Sequence, residues 1–245
     1  MKKILVGLAV LGGIGLGALF LAAVVFRAWG DPVERIASVL RGAGPENPYP
    51  PSSRLHDPFQ AYLQRLQGLP EYGDYVRGLR SREQGYSAGF QLTRNGMKRL
   101  DDRALERRAS ILAAVLDRLG EADCARAVRG DAGDLRQTSD RVMAALELLD
   151  PATINEWFEL SYQAAVAELR RVPEPPLDQP AVSEAMRALL ATLPEPDARR
   201  LGGSLGTMAR SSDADACWAG RTLYRAALAL PEPQRALLAR AFVHG

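Results

Sequence analysis

The string Gly202-Gly203-Ser204-Leu205-Gly206 has the G-x-S-x-G form of a serine-hydrolase nucleophile elbow. In that chemistry the serine stands on a sharp strand-to-helix turn and attacks an ester carbonyl, and an acid and then a histidine follow along the chain. Asp213 or Asp215, and then His244, occur in that order. The residues before the string, Met186 to Leu193, carry a helical stripe, so no strand is expected to mount the elbow. His244 is the penultimate residue, where chains fray. The expected structure of 202–206 is a glycine-rich loop joining two helices, with Ser204 and His244 as the catalytic candidates a strand would revive.

A second chemistry is cleavage of peptidoglycan, which needs a carboxylic acid of raised pKa in a groove of sugar-stacking aromatic rings. "SREQGYSAGF" supplies Glu83 with Tyr86 and Phe90 close by, and Tyr72 and Tyr75 lie just upstream. A solvated Glu83 beside core aromatics is the preferred reading. His56 stands alone in "RLHDP" without a second histidine nearby, which makes it a poor base or metal ligand. No metal-ligand spacing and no C-x-x-C occurs, so neither a metal nor a cofactor is expected.

Cys124 and Cys217 are the two cysteines of the chain. In an oxidising compartment two cysteines of one compact domain pair; in a reducing one they remain small buried hydrophobes. The expected pairing is a Cys124–Cys217 bridge, with Trp218 packed beside it. Its existence therefore depends on where the domain resides.

That location is written at the N-terminus. Ile4 to Phe26 contains no charged residue. At the helical rise it spans about 35 Å, enough for a hydrocarbon core of about 30 Å. A cleavable signal has a shorter apolar region, and Arg27 with Trp29 reads as an interfacial anchor, a snorkelling cation beside an amphipathic ring. Residues 1–30 are thus expected to be a retained signal anchor. Ala9, Gly13 and Gly17 recur every four residues, the small-residue face through which two membrane helices can associate. The short basic head, Lys2 and Lys3, favours a cytoplasmic N-terminus in a bacterial inner membrane with the bulk of the chain in the periplasm. A cytoplasm-facing domain with free thiols is the alternative topology.

Residues 31–42, "DPVERIASVLRG", read as a short juxtamembrane helix with Asp31 as N-cap and Pro32 at its first position. Residues 43–57 are proline-rich and read as an extended linker. From Asp57-Pro58, expected to start the next helix, residues 58–245 read as an all-helical domain. Leu105, Ala109, Leu112, Leu116 and Leu119 share one face; Leu135, Val142, Leu146 and Leu149 another; Ile154, Phe158, Ser161, Ala165 and Leu169 a third; Val182, Met186, Leu189 and Leu193 a fourth. Breaks fall at Asp150-Pro151 and at "VPEPP", "LPEPD" and "LPEPQ". No stretch shows strand alternation. The fold class is all-α: an irregular multi-helix bundle, with a helical-repeat solenoid as the alternative that the unevenly spaced PEP motifs disfavour.

Charge narrows the partner. Three of the 31 basic residues precede residue 31, which leaves the remainder nearly balanced against 29 acidic ones. Nucleic acid requires a basic face and is not expected. The abundance of arginine over lysine is read as base composition, not as phosphate binding. The function expected is a non-enzymatic envelope protein that binds another protein. A peptidoglycan- or ester-acting hydrolase is the alternative.

Overall fold

The computed structural model describes residues 47–77, 91–130 and 135–244. The expected membrane segment and juxtamembrane helix lie outside them. Among the described residues there is no strand, and no helix is long and apolar enough to cross a membrane. The elements are α1 (His56–Gln67), α2 (Pro70–Arg77), a helical stretch at 91–97, α3 (Asp102–Arg118), α4 (Glu121–Arg129), α5 (Leu135–Glu147), α6 (Pro151–Leu169), α7 (Gln179–Thr192), α8 (Glu195–Thr207) with a 3-10 turn at Met208–Arg210, α9 (Asp213–Leu228) and α10 (Gln234–His244).

The chain stops and starts its helices by local means. Asp101 accepts from the Ala104 N–H, Asp150 from Thr153, Asp178 from Ala181 and Ser212 from Asp215, each satisfying an orphan donor of a first turn. Pro151 and Pro180 stand at the starts of α6 and α7, where a missing N–H costs nothing. At α1 the local signal gives way. The helix begins at His56, with Leu55 as an N-cap that supplies no side-chain bond, and Asp57 sits inside the first turn. Leu55 is fully buried, and the chain before it is held by Ser53 Oγ donating to Glu147 Oε1 at 2.7 Å. Tertiary anchoring thus fixes the start of the helix. The same anchoring reaches into the stretch read as an extended linker, of which residues 47–57 are described. From residue 47 onward it is docked, with Tyr49 buried edge-on against Phe59 at 5.4 Å.

Helix α3 lies at the centre, packed against α5, α6, α9 and α10. Its Leu105, Ala109, Leu112, Val115 and Leu116 are all buried. Contacts between elements this distant in sequence set aside the solenoid, in which each repeat touches only its neighbours. The structure is a helical bundle. α1 covers α6 on one side, while α4 and α9 form the most extensive pairing on the other. Two glycines permit close approach. A Cβ at Gly96 would lie 1.8 Å from the Ala164 carbonyl oxygen of α6, and one at Gly220 of α9 would lie 2.3 Å from a Val128 methyl of α4.

The α4–α9 seam is also closed covalently. Cys124 and Cys217 form a disulfide, their Cα atoms 5.2 Å apart. Both are buried. The bridge closes a loop of 93 residues, which restricts the unfolded chain.

The arginines are used structurally. Arg221 donates to the carbonyls of Leu116 and Leu119 at the C-terminus of α3, at 3.0 and 2.7 Å. Arg240 of α10, itself buried, binds Asp102 and the Leu100 carbonyl. Arg129 reaches the carbonyls of Met208 and Ser211 and the Asp213 carboxylate. A guanidinium carries five donors and keeps its charge, so one side chain can satisfy several orphan carbonyls at the negative end of a helix.

Two measurements test this packing. Replacing both cysteines by alanine is expected to lower unfolding stability in urea by up to about 4.6 kcal/mol, the loop-closure value for a span of this length. Gly220→Ala is expected to cost about 1–3 kcal/mol, and the added Val128→Ala to relieve part of that loss in a double-mutant cycle. An additive pair would place the two residues out of contact.

Candidate functional site

Of the catalytic candidates, Ser204 and His244 lie among the described residues. Glu83, Tyr86 and Phe90 lie outside the described residues, as do Ala9, Gly13, Gly17, Arg27 and Trp29. Ser204 stands within α8, largely buried beside Leu201. The expected glycine loop at 202–206 is therefore helix, and this corrects the sequence reading. The reason is tertiary. Leu201 and Ser204 bury one face of α8, which packs on α7 and α9, while Gly202, Gly203 and Gly206 have open space where a Cβ would be. Burial of the opposite face outweighs the weak helix propensity of glycine, about 1 kcal/mol per residue.

The acids that follow Ser204 are committed to other partners. Asp213 pairs with Arg129 at 2.7 Å. Asp215 accepts from Arg200 and from the Ser212 hydroxyl, which together hold its carboxyl below the usual range. His244 lies 3.5 Å from Glu174. A nucleophile elbow also needs a strand beneath it, and Ser204 has helix before it and a 3-10 turn after. His56 bonds its neighbour Asp57 at 2.8 Å. Among the described residues no group of three or more His, Cys, Asp or Glu side chains gathers as a metal site would require.

What the fold does assemble is a cleft between α1 and α6. Phe59 and Tyr62 of α1 pack against Phe158 of α6, ring centroids 5.8 and 6.2 Å apart. On the outer side of this seam is an open cleft of about 450 Å³ lined by Pro58, Ala61, Tyr62, Arg65, Asn155, Glu156, Phe158 and Glu159. Its charged groups are paired. Arg65 bridges to Glu159 and lies 3.7 Å over the Tyr162 ring, and Glu156 bridges to Arg107 at 2.8 Å. The bond from Arg65 holds the Glu159 carboxyl below its ordinary value. An ionised, ion-paired carboxylate accepts hydrogen bonds and does not donate a proton, so this rim suits recognition. Nothing in the sequence pairs residue 65 with residue 159. The only available signal was the placement of Glu156 and Glu159 three apart on the solvent face of α6.

No pattern in the sequence marks Arg108. It is fully buried in α3, with its guanidinium 4.9 Å from the Trp157 ring. Burial pushes its pKa down to about 10, which leaves it cationic at neutral pH. Trp157 and Tyr224 are core residues.

His244 yields a pH prediction. Burial lowers its pKa below 6.5, Lys98 and Arg240 act the same way, and Glu174 opposes them. The unfolded chain therefore binds the proton more readily than the folded one. Stability is expected to be flat above pH 6.5 and to fall as pH drops below it, levelling off beneath the lower folded pKa. His244→Gln should remove that slope from urea midpoints measured between about pH 5 and 8; a slope of opposite sign in the parent would mean that Glu174 dominates.

No family model matches the chain, and no curated protein or solved structure matches it either.

Proposed function

We propose that this chain is a membrane-anchored bacterial envelope protein whose helical domain lies in the periplasm and binds another protein, without enzymatic activity. The observation that carries the reading is the Cys124–Cys217 disulfide. Disulfides form and persist in oxidising compartments and are rare in the reducing cytosol. This one ties two helices far apart in sequence and is buried on both sides, the pattern of a structural bridge. The uncharged run from Ile4 to Phe26 supplies the matching means of export and anchorage.

Binding is supported by the form of the α1–α6 cleft, with an apolar floor and a rim of paired charges. Such a rim contributes specificity more than affinity. The near balance of acidic and basic residues argues for a protein partner over nucleic acid. Self-association through Ala9, Gly13 and Gly17 would place two such domains side by side on the inner membrane.

C-terminal fusions to alkaline phosphatase and to a fluorescent protein test the topology. Phosphatase activity with a dark fluorophore is expected, and the native chain should shift on a gel when reductant is added. A bright fluorophore with an inactive phosphatase would place the domain in the cytoplasm. Ser204→Ala, Glu83→Gln and His244→Gln are each expected to leave the phenotype of the parent intact. Loss of function in any one of them, with the fold preserved, would replace the binding reading with a hydrolase.

A further inference from the structure

The motif Pro-Glu-Pro occurs three times, and the fold treats the copies differently. In 194–196 the prolines stand at the start of α8, and in 231–233 they lead directly into α10. Both act as helix starters. The copy at 173–175 is followed by a further proline, Pro176, and forms no helix; residues 172–178 run without regular structure between α6 and α7.

Their conformation follows from covalent geometry. Proline fixes its own φ near −65° and drives the residue before it into the extended or polyproline II region. Val172, Glu174 and Pro175 each precede a proline, so covalent geometry favours polyproline II over 172–176, about 15 Å of chain at 3.1 Å per residue. Three of these residues lack an N–H. Among the described residues, no backbone group of 173–177 bonds to another backbone group.

The strip is held at both ends. At its start the Val172 N–H donates to the Ala167 carbonyl at 2.9 Å, and the Val172 carbonyl accepts from Arg99. At its end Leu177 packs on the core and Asp178 caps α7. Between these ties, Pro173, Glu174 and Pro176 are exposed, and Val172 is, among the described residues, one of two large hydrophobic side chains left open, at 38%. A connection that only stopped one helix and started another would need neither this run of prolines nor an outward-facing valine.

We infer that Val172–Leu177 is a preformed docking strip for a partner protein bearing an aromatic-lined proline-recognition groove. A ligand already in polyproline II loses little conformational entropy on binding, and its bare carbonyls accept from donors on the groove. Glu174 lies 3.5 Å from His244 yet keeps 41% of its side chain accessible, which calls for a cationic rim on the groove. This inference rests on the protein-binding reading above and names the kind of partner.

The test uses the full chain in its membranes, with the photoreactive residue p-benzoylphenylalanine at position 172 and, separately, at position 61 in the α1–α6 cleft. The expected result at 172 is an adduct whose attachment point on the partner, located by mass spectrometry, falls among aromatic groove residues. Its yield should drop about tenfold in Pro173→Ala/Pro176→Ala and stay unchanged in Pro194→Ala. A synthetic peptide spanning 172–178 should suppress the adduct on the unmutated chain, a readout that does not depend on how the variant folds. No adduct at 172, an adduct insensitive to the prolines or to the peptide, or one attached outside an aromatic groove overturns the inference. An adduct at 61 alone overturns it while leaving protein binding in place; no adduct at either position overturns both.

Discussion

The approach of α9 to α4 sets the geometry of this molecule. Gly220 removes the side chain that would otherwise collide with Val128, so the two helices meet almost backbone to side chain. That proximity brings Cys217 to Cys124. It also orients the far face of α9, with Leu223 and Tyr224 buried, against α3 and α10, where Tyr224 meets Phe242 at 4.6 Å between ring centroids. A wider seam would separate the cysteines and uncover the centre of the bundle. The disulfide is thus a consequence of packing before it is a contribution to stability.

Around that seam the fold resolves an accounting problem that a bundle of short helices must face. Each C-terminus leaves carbonyls without intrahelical partners. Among the described residues, glycine takes a positive φ once, at Gly130 after α4, and Arg171 does so after α6. Elsewhere arginines from other helices reach in, as Arg221 does for α3. This couples helix termination to tertiary contact, because a carbonyl is satisfied only when its arginine-bearing neighbour is docked. It also consumes cationic charge in internal ties.

The two surfaces proposed for recognition belong to opposite regimes of order. The α1–α6 cleft is built by aromatic packing between long helices and offers an apolar floor with compensated charge. The proline strip is ordered by its own covalent restriction and by its two ends. Both present little that must rearrange on binding, and a preorganised surface loses less entropy when it associates.

The amino-acid sequence determined the helical class, the stripes at Leu105–Leu116 and Ile154–Leu169, and the breaks at Asp150-Pro151 and at each Pro-Glu-Pro. Those features depend on periodicity, capping and the missing N–H of proline, all local. It also singled out Cys124 and Cys217 as partners, since two cysteines allow one pairing. Only the tertiary structure decided that 202–206 is helix, that 47–55 is docked, and that Arg65 stands over Tyr162 beside Glu159. Each of these outcomes depends on which faces meet. A glycine run is tolerated in α8 because Leu201 and Ser204 are buried on its other side, and an arginine becomes a cap only when a distant helix end arrives. Contacts of that kind join residues about a hundred positions apart, and no local pattern records them.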